Sequence, residues 1–321
     1  MDSPVITAAG LTRRFKRRSA VDRLDLVVQR GEVFGLIGPD GAGKTTTIRL
    51  LAALMQPTSG TARVLEYDTR RDAELVRRSV GYMPQKFSLY GDLTVAENLA
   101  FFADIFAVRG RERNERIERL LSFARLAEFT GRRAAALSGG MQKKLALACT
   151  LVHAPPVIFL DEPTTGVDPI SRREFWDILA DLHAQGVTLF ISTPYMDEAE
   201  RCSRVGLMYN GRLIECAAPA VLRSAVQGEL LAVSTPRVIA ARDALSQANL
   251  PEIIELQVYG DLLHVFVKDA RTADAPVRRA LQAAQVPVMD IHRAQPRVEE
   301  AFISLIRRQV EFPDGRGRDS D

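Results

Sequence analysis

The chain has 321 residues, which suggests two domains or one large one, and with 46% hydrophobic and 26% charged residues its composition is that of a globular protein with a real core. Its net charge of +3 is too small to point to a nucleic-acid partner. No apolar run approaches the roughly 20 residues of a membrane helix, and Cys149, Cys202 and Cys216 lack metal-ligand spacing, as expected of a reduced compartment.

In chain order, Met1 to Thr12 lacks the apolar run of a signal peptide. Val5 to Thr7 and Leu24 to Val28 read as strands, joined by Leu11 to Arg18 with its basic cluster. Phe15 is the aromatic residue of that connection. It could stack on an adenine ring or be a buried strand residue. The cluster could meet phosphates or anionic lipid, or be a solvated loop.

Val33 to Ile37 is a short apolar run bounded by Gly38, and a helical pattern starts after Gly43 with Ile48, Leu50, Leu51 and Leu54. Between them, Gly38-Pro39-Asp40-Gly41-Ala42-Gly43-Lys44-Thr45, followed by Thr46, fits the phosphate-binding loop pattern G-x-x-x-x-G-K-[ST]. Glycines let the backbone wrap closely so that successive N–H groups face phosphate oxygens. The helix N-terminus adds its dipole and unpaired amides. Lys44 would bridge β- and γ-phosphates, and the Thr45 hydroxyl would reach Mg²⁺.

Thr61 to Leu65 and Val80 to Gln85 read as further strands, the second stopping at Pro84. Gln85 leaves that strand end, where its amide could reach Mg²⁺ or an attacking water, or be an ordinary loop residue. From about 90 to 150 the pattern is helical, with a capping box at Thr94-Val95-Ala96-Glu97. Leu137-Ser138-Gly139-Gly140-Met141 opens a helix running to about Val152; Ser138 suits an N-cap, and the glycines expose amides for a second anion site or a simple turn.

Val157 to Leu160 is a continuous apolar strand followed by Asp161 and Glu162. Such a strand is buried on both faces of a parallel sheet, whose active sites lie at strand C-termini. Asp161 can hold Mg²⁺, and Glu162 can orient or deprotonate a water. Val187 to Ser192 is another buried strand, and Asn210-Gly211 turns a hairpin. Beyond Pro219 the order is β-α-β-β-α-β, with strands at Leu230–Ser234, Ile253–Tyr259, Leu262–Val267 and Val288–Ile291, and helices at about Arg237–Ala248 and Ala275–Ala284. That order is ferredoxin-like. A last helix, Val298 to Arg308, precedes a charged tail, 311–321, expected to be disordered.

These residues resemble the ATP-binding subunit of an ABC transporter from about Val5 to Ala217. Gly38–Thr45 resembles Walker A, Val157–Glu162 Walker B, and Leu137–Met141 the LSGGQ signature. Gln85 matches the Q-loop, Gly166-Val167-Asp168 the D-loop, and Phe15 the adenine-stacking aromatic. The resemblance implies an α/β P-loop ABC cassette over 1–219, mostly parallel with antiparallel N-terminal strands and a helical insert, plus a small α+β domain over 220–310. It implies ATP and Mg²⁺ as cofactors and a head-to-tail dimer, homo- or heteromeric. Walker A of one subunit then faces Ser138, Gly139 and Gly140 of the other. Glu162, Gln85 and Lys44 would be catalytic, with Thr45, Gln85 and Asp161 around the metal.

The C-terminal region, ending in Val298-Glu299-Glu300-Ala301-Phe302, resembles the accessory domain of drug-resistance-type exporter ATPases. This implies export of a drug-like or lipophilic substrate through a separate type-2 permease. The subunit would be peripheral to the cytoplasmic face of the inner membrane, touching it through that permease alone. A soluble regulatory ATPase and a nucleotide-binding subunit with weak hydrolysis are the alternatives. Three positions depart from the family pattern: Asp40 in place of Asn, Met141 in place of the signature Gln, and Pro194 where a switch histidine is usual. Proline offers no side-chain or backbone donor to a γ-phosphate.

Overall fold

The computed structural model describes residues 3–86 and 89–311. It divides into two compact units between Ala217 and Ala218.

The first unit contains two sheets and a helical insert. In chain order it runs β1 (Pro4–Phe15), β2 (Arg18–Gln29), β3 (Val33–Ile37), α1 (Lys44–Leu51), β4 (Ser59–Val64), β5 (Tyr67–Asp68), α2 (Ala73–Ser79), β6 (Val80–Met83), α3 (Val95–Ile105), α4 (Gly110–Phe123), α5 (Gly139–Thr150), β7 (Val157–Asp161), α6 (Pro169–Ala184), β8 (Thr188–Thr193), β9 (Arg204–Tyr209) and β10 (Arg212–Ala217). The six-stranded sheet has the order β10-β9-β3-β8-β7-β6. All its neighbours are parallel except β9 and β10, which pair through Asn210 and Gly211 at positive φ.

Every residue of β3, β7 and β8 is buried, as continuous apolar strands covered on both faces must be. Register aligns Phe34, Phe190 and Phe159 across three adjacent strands, with ring centroids 5.1 and 5.5 Å apart. The same register aligns the strand ends. Ile37 pairs with Thr193, Asp161 with Ser192, and Met83 with Leu160. The segments that follow β3, β6, β7 and β8 therefore leave one carboxyl edge of the sheet, where ligands bind in open α/β folds.

A four-stranded antiparallel sheet, β2-β1-β4-β5, carries the N-terminus. Here the structure corrects the expected connection over Leu11 to Arg18: β1 continues to Phe15 and pairs it with Arg18. Register shifts after Ala8 and Leu11 carry the strand out to a tip whose side chains are mostly exposed, so no buried alternation marks it. The insert α3–α5 has its own core of Val95, Leu99, Leu121, Leu126, Leu145 and Val152. Thr94 and Glu97 form the expected capping box, at 3.2 and 2.7 Å.

The second unit runs α7 (Pro219–Ser224), β11 (Glu229–Ser234), α8 (Val238–Ala248), β12 (Ile253–Tyr259), β13 (Leu262–Val267), α9 (Ala270–Ala283), β14 (Asp290–Ala294) and α10 (Val298–Glu311). Its antiparallel sheet has the order β12-β13-β11-β14, the ferredoxin-like arrangement. Leu231, Val233, Leu263 and Val265 pack with Ala241, Leu245, Val277 and Leu281 of α8 and α9. His264 alternates to the other face, where Glu300 of α10 lies 3.2 Å away. Expected boundaries shift, most at α9 and at the last strand. α9 starts at Ala270, capped by Asp269, and accommodates Pro276 internally. The last strand is Asp290–Ala294, two residues later and more polar than the apolar run suggests, because one side of this edge strand is exposed. Apart from Glu311, the last residue of α10, the expected tail lies outside the described residues.

Candidate active site

The loop Gly38–Gly43 joins the buried β3 to α1. Gly43 caps α1 at φ 112°, and no side chain caps that helix, so its first amides remain directed at the loop. A β-carbon on Gly43 would stand 2.2 Å from the Ala20 carbonyl oxygen, and one on Gly38 would stand 2.1 Å from that of Met208. Backbone contact therefore demands glycine at both positions. The adjoining cleft, about 330 Å³, is lined by Phe15, Arg18, Gly41, Lys44, Thr45 and Glu162, among others. Phe15 is 44% exposed, which overturns its reading as a buried strand residue, and the Arg13 guanidinium lies 4.8 Å from its ring.

Lys44 is only 3% exposed. Its ammonium donates to the carbonyls of Gly38 and Pro39 at 2.8 and 3.1 Å and lies 3.4 Å from Glu162 Oε1. Asp40 stands 4.0 Å from the same ammonium with its side chain 92% exposed, so its extra charge is turned toward solvent.

Asp161 is fully buried. Its Oδ1 accepts from Thr45 Oγ1 at 3.0 Å and from Ser192 Oγ at 2.7 Å, whereas its Oδ2 is buried with no partner among the described residues. An unpaired buried carboxylate oxygen is costly, and a hard cation beside Thr45 would satisfy it. Among the described residues no group of three or more His, Cys, Asp or Glu side chains could hold a metal ion. A cation here would rest on Asp161 and the Thr45 hydroxyl and take its other ligands from phosphate and water, which is the habit of Mg²⁺.

Glu162 lies just beyond β7 in the left-handed region, φ 48°. For a residue other than glycine this costs on the order of 1–3 kcal/mol and persists only where surroundings hold it. Its amide donates to the carbonyl and hydroxyl oxygens of Ser192, at 3.0 and 3.1 Å. Its Oε2 accepts from Gln85 Nε2 at 2.7 Å and from Thr165 Oγ1 at 3.3 Å. Gln85 thus reaches Glu162, the group expected to handle water. The Lys143 ammonium, on α5, donates to the Gln85 carbonyl at 2.7 Å. Burial holds Lys143 below the ordinary lysine pKa, against the pull of Asp161 and Glu162.

Ser138 caps α5, accepting from the Met141 amide at 3.3 Å. A β-carbon on Gly140 would meet the Ser171 side chain at 2.5 Å. Among the described residues no hydrogen bond joins Ser138, Gly139 or Gly140 to the Gly38–Thr46 loop. Asp168 caps α6 through the amides of Ile170 and Ser171, and the Ser171 bonds hold its carboxyl below the usual range.

Ser192, Lys143 and Thr165 escaped sequence reasoning. One signal for Ser192 was available: a hydroxyl near the end of a strand buried on both faces demands a partner.

A family model described as ABC transporter matches residues 21–165. The chain is 43% identical over 309 residues to the probable multidrug ABC transporter ATP-binding protein YbhF of Escherichia coli, covering 95% of this chain but 53% of that protein. It thus spans about half of that relative's length. It is 36% identical to the Nod factor export ATP-binding protein I of Paraburkholderia xenovorans, covering 93% of this chain and 96% of that protein. Among solved structures, the dimeric post-hydrolysis ATP-binding cassette MJ0796 bound to ADP and Pi superposes with a TM-score of 0.61 at 28% identity, covering 66% of this chain and 98% of that one.

Proposed function

The chain belongs to the ABC transporter family as an ATP-binding subunit, and we propose that it hydrolyses Mg-ATP to drive export through a separate membrane permease. The Asp161 carboxylate carries this reading: its Oδ1 accepts from Thr45, which lines one cleft with Lys44 and Glu162, and its buried Oδ2 has no partner among the described residues. Lys44 exchanges its two carbonyl partners for phosphate oxygens. Thr45 and Asp161 would hold Mg²⁺, which would offset the charge of the phosphates. Glu162 orients the attacking water, with Gln85 fixing its carboxylate, and Phe15 offers its exposed ring to the adenine. Relatives named for multidrug transport and Nod factor export support an exporter of lipophilic or drug-like molecules. No helix among the described residues is long and apolar enough to cross a membrane. In this reading a permease carries the substrate, and the helical insert receives its motion at the cytoplasmic face of the membrane. A weaker hydrolase is the second reading, favoured by Pro194.

Each ATP lies between Walker A of one subunit and Ser138–Gly140 of the other. Lys44→Ala and Ser138→Asp test this together. Aspartate keeps the N-cap acceptor while setting a negative charge against phosphate. Each variant is expected to be inactive alone, and their mixture to recover measurable hydrolysis, because mixed dimers contain one intact site. A mixture that stays inactive beside an active parent chain would remove the composite dimer. A parent chain that releases no phosphate from Mg-ATP would remove the ATPase.

Lys143→Met deletes the tether from α5 to the Gln85 carbonyl. Turnover is expected to fall by about tenfold, less than the roughly 10²-fold that a 1 Å misplacement can cost, with nucleotide affinity unchanged in a fluorescent-ATP titration. An unchanged rate would show that Gln85 needs no such tether.

A further inference from the structure

Glu198 lies in the helical turn after β8 and is 1% exposed. Its Oε1 accepts from Thr164 Oγ1 at 2.6 Å, Arg172 Nε at 2.7 Å and Trp176 Nε1 at 3.0 Å. Arg172 also places Nη2 on both oxygens of Asp197, at 2.9 and 3.1 Å, and sets its guanidinium 4.4 Å from the Tyr195 ring. The segment Tyr195–Glu198, which follows Pro194, is thereby bolted to α6. Through Thr164 the same carboxylate holds the loop that leaves Glu162.

This loop must keep Glu162 in a left-handed conformation that its side chain disfavours. Upstream, Ser192 fixes the Glu162 amide. Downstream, two residues on, the first side-chain tie to another element is Thr164 to Glu198. A buried carboxylate that gathers donors from two segments transmits displacement of either to the other.

We propose that Glu198 is a positioning residue for ATP hydrolysis: through Thr164 and Arg172 it couples the segment after Pro194 to the loop that presents Glu162. The inference rests on the ATPase reading. That reading is decided separately by the parent chain's own hydrolysis.

The test uses the full chain with Thr164→Val, which removes one donor of like shape, and Arg172→Lys, which keeps the charge but loses the fork joining Glu198 and Asp197. Each is expected to lower kcat by about tenfold while KM for ATP stays within about twofold. Amide hydrogen exchange without nucleotide supplies the second readout. Thr164→Val is expected to speed exchange at 195–198, and Arg172→Lys at 164–168, so that each cut loosens the far segment. Exchange that rises only beside the substituted residue, or kcat equal to the parent's, overturns the proposal. Should Arg172→Lys fail to fold, Thr164→Val decides alone.

Discussion

Glu162→Gln is expected to keep ATP binding and to lower steady-state hydrolysis by about 10²–10⁴-fold, the range for loss of a positioned general base. The substitution is nearly isosteric at a side chain that is 7% exposed, so the fold has no reason to change. What changes is the charge. Lys44 loses the carboxylate 3.4 Å from its ammonium, and Gln85 loses a charged acceptor at 2.7 Å. A glutamine can neither accept a proton from water nor polarise it comparably. ATP then enters without being consumed, and the closed dimer accumulates. Phosphate release, nucleotide titration and size-exclusion chromatography with ATP check the three consequences. Hydrolysis at the parent rate would take Glu162 out of the reaction.

Pro194→His is expected to raise hydrolysis by the isolated subunit by roughly 10²-fold, the value of one well-placed donor to developing charge, while ATP affinity changes little. Pairing of Ile37 with Thr193 sets the two strand ends side by side, so residue 194 follows β8 where Gly38 follows β3. The Tyr195 ring is engaged by Arg172, and the Thr193 hydroxyl accepts from the Tyr195 amide at 3.0 Å. Removing proline also frees a backbone N–H and relaxes the turn, so Pro194→Ala is the control. A histidine variant no faster than the alanine variant would mean that the absent donor is not limiting. Compensation would then be sought at Gln85, at Asp40 and at Asp168 of the facing subunit.

Features with short-range causes are legible in the order of the amino acids. Apolar runs specify β3, β7 and β8, because a strand covered on both faces is built mainly from apolar residues. The glycine spacing of 38–43 specifies the tight loop between β3 and α1, because two of its backbone approaches exclude a β-carbon. Ser138, Thr94 and Asn210-Gly211 announced their caps and turn for equally local reasons. Which groups meet depends on the assembled fold. Thr45 and Ser192 share one oxygen of Asp161 from 116 and 31 residues away, and Gln85 finds Glu162 across 77. It also decided that Phe15 stands exposed at the cleft, that Glu162 adopts a left-handed backbone, and that Glu198 joins two loops. The periodicity of a segment reports how its own faces are buried. Satisfaction of a buried carboxylate depends on donors delivered by strand register and loop paths, and these exist only once the sheet has assembled.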